Sequence, residues 1–208
     1  MLKALLPAIL LVGAMPATAQ QAHVTREDRS FPIIMDTDDK PDGPPIIAGC
    51  ELKPGADCPG IDLRNADLAG VNLSGANLRG AKLARADLSH ATMKGVDLSG
   101  ADLRGVNFEK TQLQGMKARG ADLTGADLDY TRLAGADLSG ANLTAISMEA
   151  SWAPKAKFVG ARIVAANLSE AKFYNADMAE AVMESNNIRF AIWEGVHMEN
   201  CTGCPVDW

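Results

Sequence analysis

Histidine is almost missing from this sequence, with His23, His90 and His197 the only three in 208 residues. No Ser/His/Asp set, phosphate-binding glycine loop or metal-ligand cluster accompanies them, so the chain lacks the convergent groups that catalysis needs and is expected to be a non-enzyme with no cofactor. Long apolar runs are also lacking. The best of them, Ala4 to Met15, is interrupted by Pro7 and falls short of the roughly 20 residues that span a bilayer. Membrane insertion is not expected. Cysteine is limited to four residues, and neither sign of charge prevails by much, with 20 Lys and Arg against 26 Asp and Glu.

What the sequence has in abundance is repetition. From Ile61 to Asn200 a five-residue unit recurs 28 times without insertion or deletion. Ala66-Asp67-Leu68-Ala69-Gly70 and Ala101-Asp102-Leu103-Arg104-Gly105 show the rule. The middle residue is Leu in 15 units, the first is Ala in 17, the second is Asp or Asn in 15, and the last is Gly in 13. A helix cannot use this pattern, because five residues at about 100° each carry the leucine about 140° around the axis per unit. In an extended chain, residues two apart point the same way, so the small residue and the leucine face inward and the Asp or Asn faces out. The two remaining residues must turn the chain, and Gly at the second of them suits a type II turn. Each unit is one short side and one corner.

With its A(D/N)LXX units covering residues 61–200, the sequence resembles the pentapeptide repeat proteins. The resemblance implies an all-β fold, a right-handed quadrilateral parallel β-helix with four units per coil, hence about seven coils. At the strand spacing of about 4.8 Å these would extend about 34 Å. Residues 56–60 keep the phase with Cys58 in the leucine place, so the repeat region is expected to run over 56–200.

Ahead of it, residues 1–19 read as a signal peptide: Lys3, the apolar run and the cleavage site Ala17-Thr18-Ala19. An exported protein, periplasmic or secreted, is expected. Residues 20–55 read as an irregular polar leader and N-terminal cap that lays Ile33, Ile34, Ile46 and Ile47 against the solenoid. Its acidic run Asp36-Thr37-Asp38-Asp39 is not a calcium loop, since Lys40 and Pro41 stand where a ligand and a Gly are needed.

Residues 201–208 form the other cap. Cys50 and Cys58 lie at one end of the solenoid and Cys201 and Cys204 at the other, too far apart for one zinc ion, whose bonds to sulfur are about 2.3 Å. Two local disulfides, each stitching a cap, are expected in an exported chain; a free buried thiol at Cys58 is the alternative.

Folding the sequence at twenty residues per coil sorts the units into four walls. One carries seven acids against two bases, including Asp67, Asp87, Glu109, Asp127, Asp129 and Glu149, with Tyr130 and Phe190 on its corners. It is the expected interaction face for an unidentified protein partner, against the alternative of an idle solvated surface. The wall with Asp97, Lys117, Asp137, Lys157, Asp177 and His197 reads as a self-satisfied charge ladder. The resemblance also implies, from the gyrase-protecting members, a homodimer through the C-terminal end near Trp193, Met198 and Trp208; a capped monomer is the alternative. A gyrase-directed DNA mimic is the competing function. Duplex DNA carries one charge per about 1.7 Å, whereas the acidic wall offers one per about 5 Å, so no nucleic-acid-like role is expected.

Overall fold

The structure, a computed structural model, describes residues 43–205, all within one compact unit. The expected signal segment, the leader through residue 42, Ile33, Ile34 and Trp208 fall outside the described residues. Across the array each second-position residue pairs in parallel with the one twenty residues later, from Asp57 with Asn77 to Val182 with Thr202. Four pentapeptides therefore complete one coil. The sides are single bridges rather than long strands, because each corner follows the bridging residue at once.

Backbone hydrogen bonds can be followed amide by amide in the unit Ala86 to His90. Ala86 N–H closes the preceding corner on Leu83 C=O at 2.9 Å, and Asp87 N–H donates to Ala66 C=O in the coil before. Leu88 and His90 donate to Asn107 and Glu109 in the coil after. One amide is left, that of Ser89, and the side chain of Asp87 accepts it at 2.9 Å. All fifteen Asp or Asn residues in the second place of units 61–200 accept the amide two residues on, at 2.9–3.3 Å. Short side chains with an acceptor at the δ position are what this Asx-type bond requires. Where Trp152 holds the place, the residue two on is Pro154, which has no N–H to satisfy.

Inside, the first and third residues of most units form an axial column of buried, chiefly Ala, Leu, Met and aromatic, side chains from Leu52 to Trp193. Met116 and Ala118 exchange the usual small-then-large order and both are fully buried, which conserves volume. Toward the C-terminus rings replace leucines: Phe158 meets Phe173 edge-on at 5.8 Å, and Phe173 stacks on Trp193 at 4.7 Å.

At the N-terminal end β1 (Ile46–Ile47) and β2 (Cys50–Glu51) form an antiparallel hairpin around Ala48 and Gly49, both with positive φ. Leu52, 1% exposed, closes the column beneath it, and a disulfide joins Cys50 to Cys58. Ile47 packs on the core as expected. Ile46 does not: it is 70% exposed, since neighbouring residues of a strand point to opposite faces.

The remaining strands, β3 (Arg162–Val164) and β4 (Val182–Glu184), pair in parallel in adjacent coils. Asn186 opens the corner after β3, its Nδ2 donating to Ile163 C=O at 2.9 Å while its Oδ1 accepts from Ala166 N–H at 2.8 Å. The amide in a place usually held by Ala is thus satisfied. At the far end Cys201 is bridged to Cys204, and a disulfide sulfur of Cys204 lies 3.4 Å from that of Met183.

Candidate functional site

The acidic wall is built from units whose second residues stack in one parallel ladder: Asp67, Asp87, Asn107, Asp127, Ser147, Asn167 and Asn187. Its carboxylates are not all free to meet a partner. Asp67, Asp87 and Asp127 each accept the amide two residues on, so part of each group is committed to holding a corner. Asp129 reaches into the next coil, where its Oδ1 accepts from Glu149 N–H at 2.8 Å and from Ser147 Oγ at 2.5 Å. That bond serves the one amide on this wall whose own unit offers Ser147 in place of Asp or Asn. Glu149 Oε2 accepts from Asn167 Nδ2 at 3.1 Å.

Electrostatics separate these acids. Burial pushes the Asp127 carboxyl above the usual carboxylate range, and the neighbouring charges of Asp129 and Glu109 push the same way, against the bond from Asp129 N–H. Glu109, half-buried, is held below that range by its contact with Lys110 at 2.7 Å.

On the corner column, His90, Lys110, Tyr130, Ala150, Glu170 and Phe190 all have φ between 51° and 59°. Left-handed backbone costs an ordinary residue about 1–2 kcal/mol. Six of the seven corners here carry that strain, more than on any other wall. Tyr130 is 51% exposed with Lys110 5.8 Å from its ring, and Phe190 is 75% exposed with Arg189 at 5.3 Å. The two rings do not form one patch, because three coils, about 14 Å, separate them.

The expected charge ladder of the next wall is corrected by the structure. Asp97 and Asp137 pair not with Lys117 and Lys157 in their own column but with Arg79 at 3.7 Å and Arg119 at 2.6 Å, two residues along in the first corner place. A longer arm starting at the corner reaches the carboxylate of the next coil. Burial pushes Asp137 up, but hydrogen bonds from Arg119 and Ser139 outweigh it and hold the carboxyl below its ordinary value. His197 contacts Asp177 at 3.0 Å, and that hydrogen bond raises the imidazole above the usual histidine range.

At the C-terminal end Trp193 is 3% exposed and stacked inside as a core residue. The apolar groups the last coil leaves open include Ile188, 38% exposed, Phe190 and the half-buried Met198. One exposed group escaped the sequence reading altogether: Trp152, 43% exposed, lies 5.5 Å from Tyr174 with Lys172 5.8 Å from its ring. An aromatic residue in the outward place of its unit was the available signal.

A family model described as pentapeptide repeats matches in eight copies, at residues 55–83, 81–115, 107–144 and 155–184, which is more than half of the chain. The chain belongs to the pentapeptide repeat family. Such proteins are right-handed quadrilateral β-helices and are generally non-enzymatic. Among solved structures, the chain is similar to HetL, a pentapeptide repeat protein involved in heterocyst differentiation regulation in the cyanobacterium Nostoc sp. PCC 7120. The identity is 24% over 68% of this chain and 86% of that one, with a TM-score of 0.34. It is similar also to QnrB1, a plasmid-mediated fluoroquinolone resistance protein, at 23% identity over 70% and 79% of the two chains, TM-score 0.44. Rfr23 of the cyanobacterium Cyanothece 51142 is 18% identical over 70% and 86%, TM-score 0.37. No curated protein matches the sequence significantly.

Proposed function

We propose that this pentapeptide repeat protein is an exported, non-enzymatic scaffold that engages another protein through its outer walls. One observation carries the reading. The axial column is filled by buried apolar side chains from Leu52 to Trp193, so the chemistry on offer is that of the surface. Export is supported by residues 1–19 and by the two disulfides, which persist in oxidising compartments.

The proposed face is the acidic wall with Tyr130 and Phe190, supported by its strained corners and exposed rings. Cross-linking pull-down from the exported compartment tests it, comparing the wild type with a variant carrying Glu109→Gln, Tyr130→Ala, Glu149→Gln and Phe190→Ala. These changes spare the Asp residues that hold corners. Loss of a captured protein is expected, and an unchanged set retires the face.

A homodimer through Ile188 and Met198 at the C-terminal end is the second part of the proposal. Sedimentation velocity should find a dimer; a monomer at every concentration sinks it. Duplex mimicry has less support, since Asp67, Asp87 and Asp127 are partly occupied with their own backbone, and no protection of gyrase is expected in a supercoiling assay.

A further inference from the structure

The geometry points to an oxyanion-binding site on the wall of Leu63, Leu83 and Leu103, formed by Arg64, Arg85 and Arg104 and suited to a phosphate-class anion. These residues line an open concavity of about 460 Å³ together with Asn65, Ala84 and Gly105. Its origin is a size pattern. In the first corner column Arg64, Ala84 and Arg104 stack in successive coils, so two long arms about 10 Å apart flank a methyl group. In the second corner column Gly105 follows Arg85, and nothing but the Arg85 Cγ, at 3.7 Å, approaches the place where a side chain on Gly105 would stand.

Both flanking arms are held in position. Arg64 sets Nε on Asp62 Oδ1 at 2.9 Å and Nη2 on Oδ2 at 2.7 Å, and Arg104 repeats the fork on Asp102 at 2.7 Å and 2.7 Å. Such two-point pairing fixes the plane of each guanidinium. Neither fork uses Nη1. Arg85, exposed on a corner with φ 60°, makes no ion pair among the described residues. Of the residues that line the concavity, Arg64, Arg85 and Arg104 are cationic and none is acidic. Planar forks that present several N–H groups match a tetrahedral oxyanion, and guanidinium sheds water more readily than ammonium does.

The site is tested by isothermal titration of the full chain with inorganic pyrophosphate at low ionic strength, where surface charges are least screened. Saturable one-to-one binding is expected. Arg85→Gln should weaken it about tenfold, the loss of a charge-assisted contact. Ala84→Leu, which keeps every charge and fills the floor, should weaken it at least as much. Unchanged binding in either variant, with an unchanged melting temperature, overturns the proposal, as does a titration that never saturates. Vesicles of phosphatidylcholine doped with phosphatidic acid form the second arm. Capture lost in Arg85→Gln places the phosphate on a lipid, whereas pyrophosphate binding without capture places it on a soluble molecule. Failure of both overturns the site.

Discussion

At the scale of the residue, the second place of the pentapeptide does more than face water. Asp or Asn there accepts the one amide the coil-to-coil ladder leaves over, and charge is incidental to that task. Asp127 separates the two properties. Its carboxyl is raised by burial and by Asp129 and Glu109, so ionising it costs the fold something that a neutral amide avoids. A raised carboxyl favours the folded state at low pH and loses that contribution as pH climbs through its folded value. Asp127→Asn should therefore raise the melting temperature near neutrality and change little at acid pH. Asp127→Ala, which drops the hydrogen bond to Asp129 N–H, should cost about 1 kcal/mol. Ser151 gives the opposite test: its buried hydroxyl has no partner among the described residues, unlike Thr111 and Thr131 in the same column, whose hydroxyls donate to Leu88 and Leu128 carbonyls. Ser151→Ala should stabilise by about 1 kcal/mol, read as a higher denaturant midpoint.

His197 belongs to this scale too. A folded value above the ordinary histidine range means its bond to Asp177 supports the fold fully below about pH 6.5, and the support fades as pH rises through the higher folded value. Melting curves of His197→Gln and wild type should differ in mild acid and converge in alkali.

Among the elements, corners decide more than sides. In the corner closed by Ala56 N–H on Lys53 C=O, Pro54 and Gly55 occupy the places a type II turn favours for each. Gly203 is a different matter, for a Cβ there would stand 1.9 Å from Met183 C=O. Gly203→Ala should force the last corner off the coil beneath it and lower the melting temperature by several degrees, with the Cys201 to Cys204 bridge intact by mass spectrometry. Much of this architecture was legible in the sequence. Alternation of small and large apolar residues defined the inward positions, and glycine marked the corners. What stayed hidden was the hydrogen bonding. A place that merely faces out would accept Glu, Lys and Ser as freely as Asp and Asn. The preference for two short acceptors, in 15 of 28 units, was a readable clue to a backbone partner, and it passed as polarity. The Arg79 and Arg119 pairings stayed hidden for another reason, since an arm's reach between coils depends on corner geometry that no spacing reveals.

For the solenoid as a whole, each coil touches only the coils before and after it, so stability accumulates by neighbours. Removing residues 121–140 takes out one full coil and joins units of matching phase. Circular dichroism should report a folded protein with a cooperative transition. Removing Ala126 alone turns inward residues outward from that point on, and should leave the chain unfolded.

The hairpin over the first coil covers one end of the stack. Parallel bonding leaves both ends of the stack with unpaired groups: each coil sends amides to the coil before it and to the coil after it, so an uncovered end offers bare amides and carbonyls to another strand. Head-to-tail contacts made in that way do not close into rings unless a rotation brings them round, and they propagate as fibres. Ile46–Glu51, folded over that end and tied down through Cys50, covers an edge that another strand would otherwise extend.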